Sequence, residues 1–198
     1  MAKGIIAEDN SIELFNSVDG NNYTKNAKKI KNEFISGTPD LFDGDDIYKC
    51  NEIIDIKSSW DIFTFLSNVT EPIPASYYWQ LQGYLALSGA KIGTIAYCLV
   101  NTPDSIIEGE KYNLLRRMDV VTEEDPAYLK EVAKLERNRL FNDIPKEERV
   151  LTVSVDRNEA DIEKIYAKVL KCREFIASFE KEHLYFSKHF RKKILPLQ

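Results

Sequence analysis

The chain has 198 residues, 43% hydrophobic and 30% charged, a balance that suits one globular domain with a substantial core and excludes a disordered or low-complexity chain. No apolar run approaches the ~20 residues needed to span a bilayer, and the stretch from Met1 to Asp9 turns acidic too early for a signal peptide, so a cytoplasmic protein with no membrane partner is expected. The formal net charge of −5 is not that of a protein that coats nucleic acid by charge alone.

In chain order, Ile5 to Val18 places apolar residues at Ile5, Ile6, Ile12, Leu14, Phe15 and Val18, the pattern of an amphipathic helix stopped by Asp19-Gly20. Lys28 to Ile35 alternates loosely and reads as a strand that Pro39 to Phe42 continues. Asp43-Gly44-Asp45-Asp46 is a hairpin turn, and Ile47 to Lys57, with β-branched Ile53, Ile54 and Ile56, reads as a central strand. Ser59 is expected to cap a helix from Trp60 to Leu66. After Pro72 and Pro74, Ala75 to Leu87 is a second such helix, closed by Ser88-Gly89.

Ile92 to Val100 is nearly continuous apolar and reads as a buried strand. Asn101-Thr102-Pro103-Asp104 opens a helix through about Met118, and Pro126 to Phe141 is a charged amphipathic helix. Val150 to Val155 alternates as a strand, and Asn158 to about Phe179 is a long helix with Ile162, Ile165, Tyr166, Val169, Leu170 and Phe175 on its apolar side. This order implies an α/β (α+β) fold: a mixed central sheet whose first three strands form an antiparallel meander, flanked by helices.

Charge is unevenly placed. Tyr23 to Lys31 holds Lys25, Lys28, Lys29 and Lys31 and no acid, whereas Thr38 to Lys57 is strongly acidic. The 181–198 tail is basic again, with Lys181, Lys188, Arg191, Lys192 and Lys193 against Glu182. Basic arms around an acidic centre suit a metal-dependent enzyme acting on a polyanion, and ordinary solvated surface charge explains the arms equally well. Cys50, Cys98 and Cys172 are widely spaced, and with only His183 and His189 beside them they make a poor zinc or iron–sulfur set. Buried thiols in a reducing compartment, with no zinc, are expected.

The most informative pattern is Gly37-Thr38-Pro39-Asp40 followed by Asp55-Ile56-Lys57. Phosphodiester hydrolysis needs an activated water, neutralised charge on the phosphoryl group and a stabilised leaving oxygen; a hard cation such as Mg²⁺ or Mn²⁺ on oxygen ligands supplies much of this. Asp40, Asp55 and the backbone carbonyl of Ile56 are such ligands. Asp55 and Lys57 share a strand face about 7 Å apart, so the ammonium can reach a metal-bound water or the phosphate. Taken alone, Asp-x-Lys is also a common surface ion pair and Asp40 an ordinary turn aspartate. Gln80 and Tyr84, four apart on one helix, present an amide and a phenol to one locus, or an ordinary helix surface. Glu8 is either a carboxylate aimed at the sheet or a favourable first-turn acid.

In order along the chain, Gly4 through Glu8, Pro39-Asp40, Asp55-Ile56-Lys57 and Gln80 through Tyr84 resemble the Gly-x-x-x-Glu, Pro-Asp, (Asp/Glu)-x-Lys and Gln-x-x-x-Tyr elements of the PD-(D/E)XK nuclease superfamily, in its lambda-exonuclease-like and YqaJ-type viral recombinase branch. The resemblance covers about half the chain, from Gly4 to Val100. It implies a restriction-endonuclease-like core within a single nuclease-like domain, residues 1–198, with the motifs in 4–100, a C-terminal strand and helix in 147–181 and a basic tail in 181–198. It also implies Mg²⁺ or Mn²⁺ held by Glu8, Asp40 and Asp55, Lys57 orienting or activating the attacking water, and Gln80 and Tyr84 supporting the site or touching the DNA backbone. Only seven residues precede Glu8, so an N-terminal DNA-contacting segment of larger relatives is not expected, and the four cysteines of an iron–sulfur cluster are not matched. The activity implied is a DNA exonuclease of phage-type end resection in recombination or repair, in a bacterial or phage-infected cell. A recombinase or single-strand annealing partner and a homo-oligomer are open. The alternatives are a structure-selective or site-specific endonuclease, a catalytically silent DNA-binding or assembly subunit, and an unrelated α/β protein with chance matches.

Overall fold

A computed structural model describes residues 7–59 and 61–183. Gly4, Ile5, Ile6, Trp60 and the tail beyond residue 183 lie outside the described residues. Helix α1 spans Glu8–Asp19 and buries Ser11, Ile12, Leu14 and Phe15. Short strands β1 (Ile30–Lys31), β2 (Ser36–Gly37) and β3 (Leu41–Phe42) lead to β4 (Glu52–Ser58). Helices α2 (Ile62–Thr70) and α3 (Ala75–Ser88) carry the chain over to β5 (Ile92–Cys98). Helices α4 (Asp104–Met118) and α5 (Pro126–Arg137) and a 3₁₀ turn (Lys146–Arg149) precede β6 (Val150–Asp156) and the long α6 (Glu159–Glu182).

The main sheet has the order β3-β4-β5-β6, with β4 and β5 parallel and both edge strands antiparallel to their neighbours. It is the mixed sheet flanked by helices that the element order implies. The early strands divide, however: β1 and β2 form a separate antiparallel ribbon, and β3–β4 is a second hairpin. The single strand expected over Lys28 to Ile35 is broken because the Asn32 side chain accepts the backbone N–H groups of Phe34 and Ile35, both at 2.9 Å, and turns the chain back.

The central strand likewise starts at Glu52 rather than Ile47. Asp43 Oδ1 accepts the N–H of Asn51 at 2.8 Å and of Glu52 at 2.7 Å, while Lys49 N–H is spent on the Asp46 carbonyl. Ile47 and Cys50 still reach the core, from a turn. Ser59 continues the ladder by donating its N–H to the Cys98 carbonyl, and the cap of α2 is Asp61, whose side chain accepts from Thr64 N–H. Helix α5 ends at Arg137, short of the expected Phe141, because Thr102 N–H and the Asn101 side chain draw Arg139 and Phe141 into a loop that buries the Phe141 ring.

Alternation along β4 and β5 sorts the core. Ile54, Ile56, Ala96 and Cys98 face α1, packing on Ile12, Leu14 and Phe15. Ile95, Tyr97 and Leu99 face the other way, onto Phe65 of α2 and Leu81 of α3, with Ile53 against Leu85 beside them. Each fully buried isoleucine or leucine contributes roughly 1.5–3 kcal/mol. Asp55 and Lys57, on the α3 side, are therefore carried on an interior strand, paired along its length to β5. Cys50 and Cys98 are buried free thiols, as expected, whereas Cys172 is exposed on α6. Among the described residues no helix is long and apolar enough to cross a membrane.

Candidate active site

Asp55 stands in the middle of β4 with 2% of its side chain exposed, flanked by buried Ile53, Ile54 and Ile56. Burial pushes its carboxyl pKa up, and the Lys57 ammonium opposes the rise. Lys57 Nζ approaches Asp55 Oδ2 at 2.5 Å, a close ion pair that compensates the charge of that buried oxygen. Burial alone would push the ammonium pKa down. Asp55, and then Asp40, more than offset this and keep Lys57 charged. Its stem lies against Tyr77, with Nζ 4.8 Å from the ring centroid.

Helix α3 supplies the polar backing. The Gln80 amide donates to Asp55 Oδ1 at 3.1 Å and to the Tyr84 hydroxyl at 3.0 Å, while its oxygen accepts from Lys57 at 3.4 Å. The i, i+4 spacing thus brings Gln80 and Tyr84 together, as their sequence positions imply. Gly89, at φ 84°, ends the helix in the left-handed region that glycine adopts without a Cβ clash. Gly37 lets β2 approach the helix closely: a Cβ there would sit 2.5 Å from Tyr84 Cε1.

Asp40 immediately precedes β3. The Leu41–Ile54 register, extended by one residue, sets it opposite Asp55. Its Oδ2 accepts the Ile56 N–H at 2.7 Å. A strand residue directs its N–H and C=O to the same side, so the Ile56 carbonyl faces the edge Asp40 occupies, just past the end of β3. Burial first, then the neighbouring Asp55 charge, raise the Asp40 pKa to about 6; the Ile56 N–H partly offsets this and Glu8 adds to it.

Glu8 sits in the first turn of α1, near enough that both Asp40 and Asp55 sense its charge. Its carboxylate is engaged by Lys25 at 3.2 Å, which also contacts Asp9 at 2.9 Å. The structure therefore gathers Glu8, Asp40, Asp55, Ile56, Lys57, Gln80 and Tyr84 around one end of the β3–β4 pair. Tyr77, which repeats the Gln80/Tyr84 face at i and i+3, was not singled out in the sequence. Gly37 and Lys25 were noted there, the first in the run before Asp40 and the second in the basic stretch, but neither was given a role at the site; Lys25 reaches Glu8 from the loop after α1.

The donors, carboxylate and carbonyl oxygens, match in kind what a hard divalent cation takes. Three mutually repelling carboxylates with a raised Asp40 are the electrostatics such a cation relieves. Among the described residues, no three His, Cys, Asp or Glu side chains converge into a preformed cage. Each carboxylate is instead occupied: Glu8 by Lys25, Asp55 by Lys57 and Gln80, Asp40 by the Ile56 N–H. The groups fit the ion in chemistry, with these contacts to be exchanged on binding.

An α1 helix over a mixed sheet, with a polar-faced α3 across the other side, is a fold found in solved exonuclease structures. The chain superposes on the crystal structure of a phage-related exonuclease from Haemophilus somnus 129PT with a TM-score of 0.64 and 24% identity, covering 91% of this chain and 72% of that one. It superposes on an alkaline exonuclease (LHK-Exo) from Laribacter hongkongensis with a TM-score of 0.57 and 17% identity, covering 97% and 74%. The same figures hold for LHK-Exo in complex with dAMP. At these identities the likeness is one of fold. No family profile matches the chain, and no curated relative does.

Proposed function

We propose that this chain is a divalent-metal-dependent DNA exonuclease, a single nuclease-like domain that hydrolyses phosphodiester bonds in end resection. The observation that carries the reading is the connected cluster Asp55–Lys57–Gln80–Tyr84 with Asp40 bonded to the backbone of Ile56, in a fold shared with two exonucleases. Free buried thiols at Cys50 and Cys98 suit a reducing, cytoplasmic setting.

In this reading Glu8, Asp40, Asp55 and the Ile56 carbonyl hold Mg²⁺ or Mn²⁺. When bound, the ion supplies a water of lowered pKa and neutralises phosphoryl charge. Asp55 fixes one side of the site on a strand that cannot shift without disturbing the core. Lys57, released from its close ion pair, directs its ammonium at the attacking water or a phosphate oxygen, where charge builds in the transition state. Gln80 holds both Asp55 and Lys57 in place and is itself held by Tyr84. Water attacks phosphorus and the P–O bond to the leaving oxygen breaks; the attacking water gives up a proton to solvent and the leaving oxygen takes one up.

The test is incubation with end-labelled linear duplex and closed circular duplex, with and without Mg²⁺, beside Lys57→Ala. Metal-dependent loss of the linear substrate, abolished in the variant, is expected. Nicking of the circle would assign an endonuclease on the same site, and stoichiometric binding without cleavage a silent binding subunit.

A further inference from the structure

The segment between α1 and β1 carries Lys25, Lys28, Lys29 and Lys31 with no acid, and all four residues are exposed. It is nonetheless fixed. Asn16 holds Tyr23 at both ends of its peptide group, accepting its N–H at 3.1 Å and donating to its carbonyl at 2.9 Å, and Phe15 stacks on the Tyr23 ring. Asn26 donates its backbone N–H to the Asp40 carbonyl at 2.7 Å and its amide to the Pro39 carbonyl at 2.7 Å, and its side-chain oxygen takes the Lys28 N–H at 2.9 Å. The lysine run is therefore tied to the same Pro39-Asp40 that enters the candidate site.

At one end Lys25 reaches Glu8. At the other, Ile30 is fully buried and pairs with Gly37, which by alternation turns Lys29 and Lys31 to the outer face. Lys28 lies over the Tyr48 ring, with Nζ 4.6 Å from its centroid. Among the described residues Lys28, Lys29 and Lys31 form no ion pair, and all three are exposed. In a protein of net charge −5, a cationic edge without ion pairs, held by side-chain clamps beside the acidic centre, is an approach that a polyanion would find favourable.

We propose that Lys25 to Lys31 is a phosphate rail, along which the backbone of the nucleic-acid strand entering the site is held. The inference rests on the nuclease reading above. Fully extended, at about 3.3 Å per residue, the segment would span at most roughly 20 Å, so it covers no more than about six nucleotide steps at 3.4 Å each. Because the rail and Asp40 are joined through Asn26, a strand seated on the lysines is positioned relative to the carboxylates by hydrogen bonds rather than by a free loop.

The experiment is DNA binding by the full chain with Ca²⁺ replacing Mg²⁺, across a range of salt concentrations, for the wild type and for Lys28→Gln/Lys29→Gln/Lys31→Gln. Each lost phosphate contact removes about 0.9 from the slope of log affinity against log salt on duplex and about 0.7 on single strands. The triple variant is expected to lose about 2.7 on duplex and about 2 on single strands, with an unchanged melting temperature. Lys130→Gln/Lys134→Gln on α5 is expected to leave the slope alone. A wild type that binds and cleaves DNA, with a slope the triple variant does not change, overturns the rail and leaves the nuclease reading standing. A wild type that neither binds nor cleaves overturns both.

Discussion

Asp40→Asn is expected to stabilise the metal-free protein above about pH 6 while removing its response to metal. A carboxyl whose folded pKa lies above its unfolded value binds its proton more tightly in the native state, so the native state loses stability as pH rises through the interval between the two. For Asp40 that interval runs from the ordinary 3.8 to about 6, which at about 1.36 kcal/mol per decade corresponds to about 3 kcal/mol. The side chain is partly exposed, and solvent screening brings the expected gain to about 1–3 kcal/mol. Asparagine keeps an oxygen for the Ile56 N–H and removes the charge that Asp55 and Glu8 oppose.

The assay is thermal unfolding in chelator from about pH 4 to pH 8. In a domain of this size 1 kcal/mol moves the midpoint by about 2–4 °C, so Asp40→Asn is expected to melt about 2–12 °C above the wild type near pH 8. The two should converge near pH 4. Adding Mg²⁺ at about 100 times its dissociation constant should return about 2.7 kcal/mol to the wild type alone. A variant less stable than the wild type at every pH, or a gap that does not close on acidification, would refute the electrostatic reasoning.

Lys57→Ala is expected to slow cleavage by on the order of 10²-fold or more, measured in single turnover. It should also lower the melting temperature, because it leaves Asp55 charged and uncompensated in the core. Gly37→Ala drives a methyl into the Tyr84 ring, and a loss of about 1–3 kcal/mol in denaturant unfolding is expected, with slower cleavage as Gln80 loses its support. Gln82→Leu strands the Asp156 carbonyl and the Asn158 N–H that the amide now serves at 2.8 and 2.9 Å. Each orphan costs about 1–3 kcal/mol, and faster amide hydrogen exchange in β6 should report it. Lys25→Ala removes an exposed ion pair and should change stability by less than about 1 kcal/mol, while Mn²⁺ binding, followed by paramagnetic resonance, should tighten as Glu8 is released.

What the sequence made legible follows from how local each cause is. Helix α3 was readable almost to the residue, since its ends are set by Pro74 and Gly89 and its polar face by a four-residue spacing. The start of β4 was not, because a single aspartate eight positions upstream takes the Asn51 N–H by a side-chain hydrogen bond. The β1–β2 ribbon was hidden for the same reason: Asn32 makes its turn without the glycine that usually marks one. Asp55 and Lys57 could be grouped from strand alternation and Asp40 added from the motif order, whereas the Lys25–Glu8 contact joins residues in a loop and a helix with no shared period. In α6 the apolar spacing identified a helix correctly. Of its residues Ile162 is buried while Phe175 and Ile176 are exposed, since periodicity describes a face and not what covers it.

Gln82 carries a consequence for how the chain can be divided. It lies on the far side of α3 from Gln80, and its amide fastens the turn between β6 and α6 through Asp156 and Asn158. One rigid rod therefore braces the carboxylate cluster with one residue and the C-terminal half with the residue two positions on. Strand β5 is similarly shared, paired to β4 on one edge and to β6 on the other. A fragment truncated at Val100 would retain every recognisable motif, yet it would expose an unpaired strand edge and an amide with nothing to bind. The motifs are contiguous in sequence, but the scaffold that aims them is completed only by residues some fifty positions later.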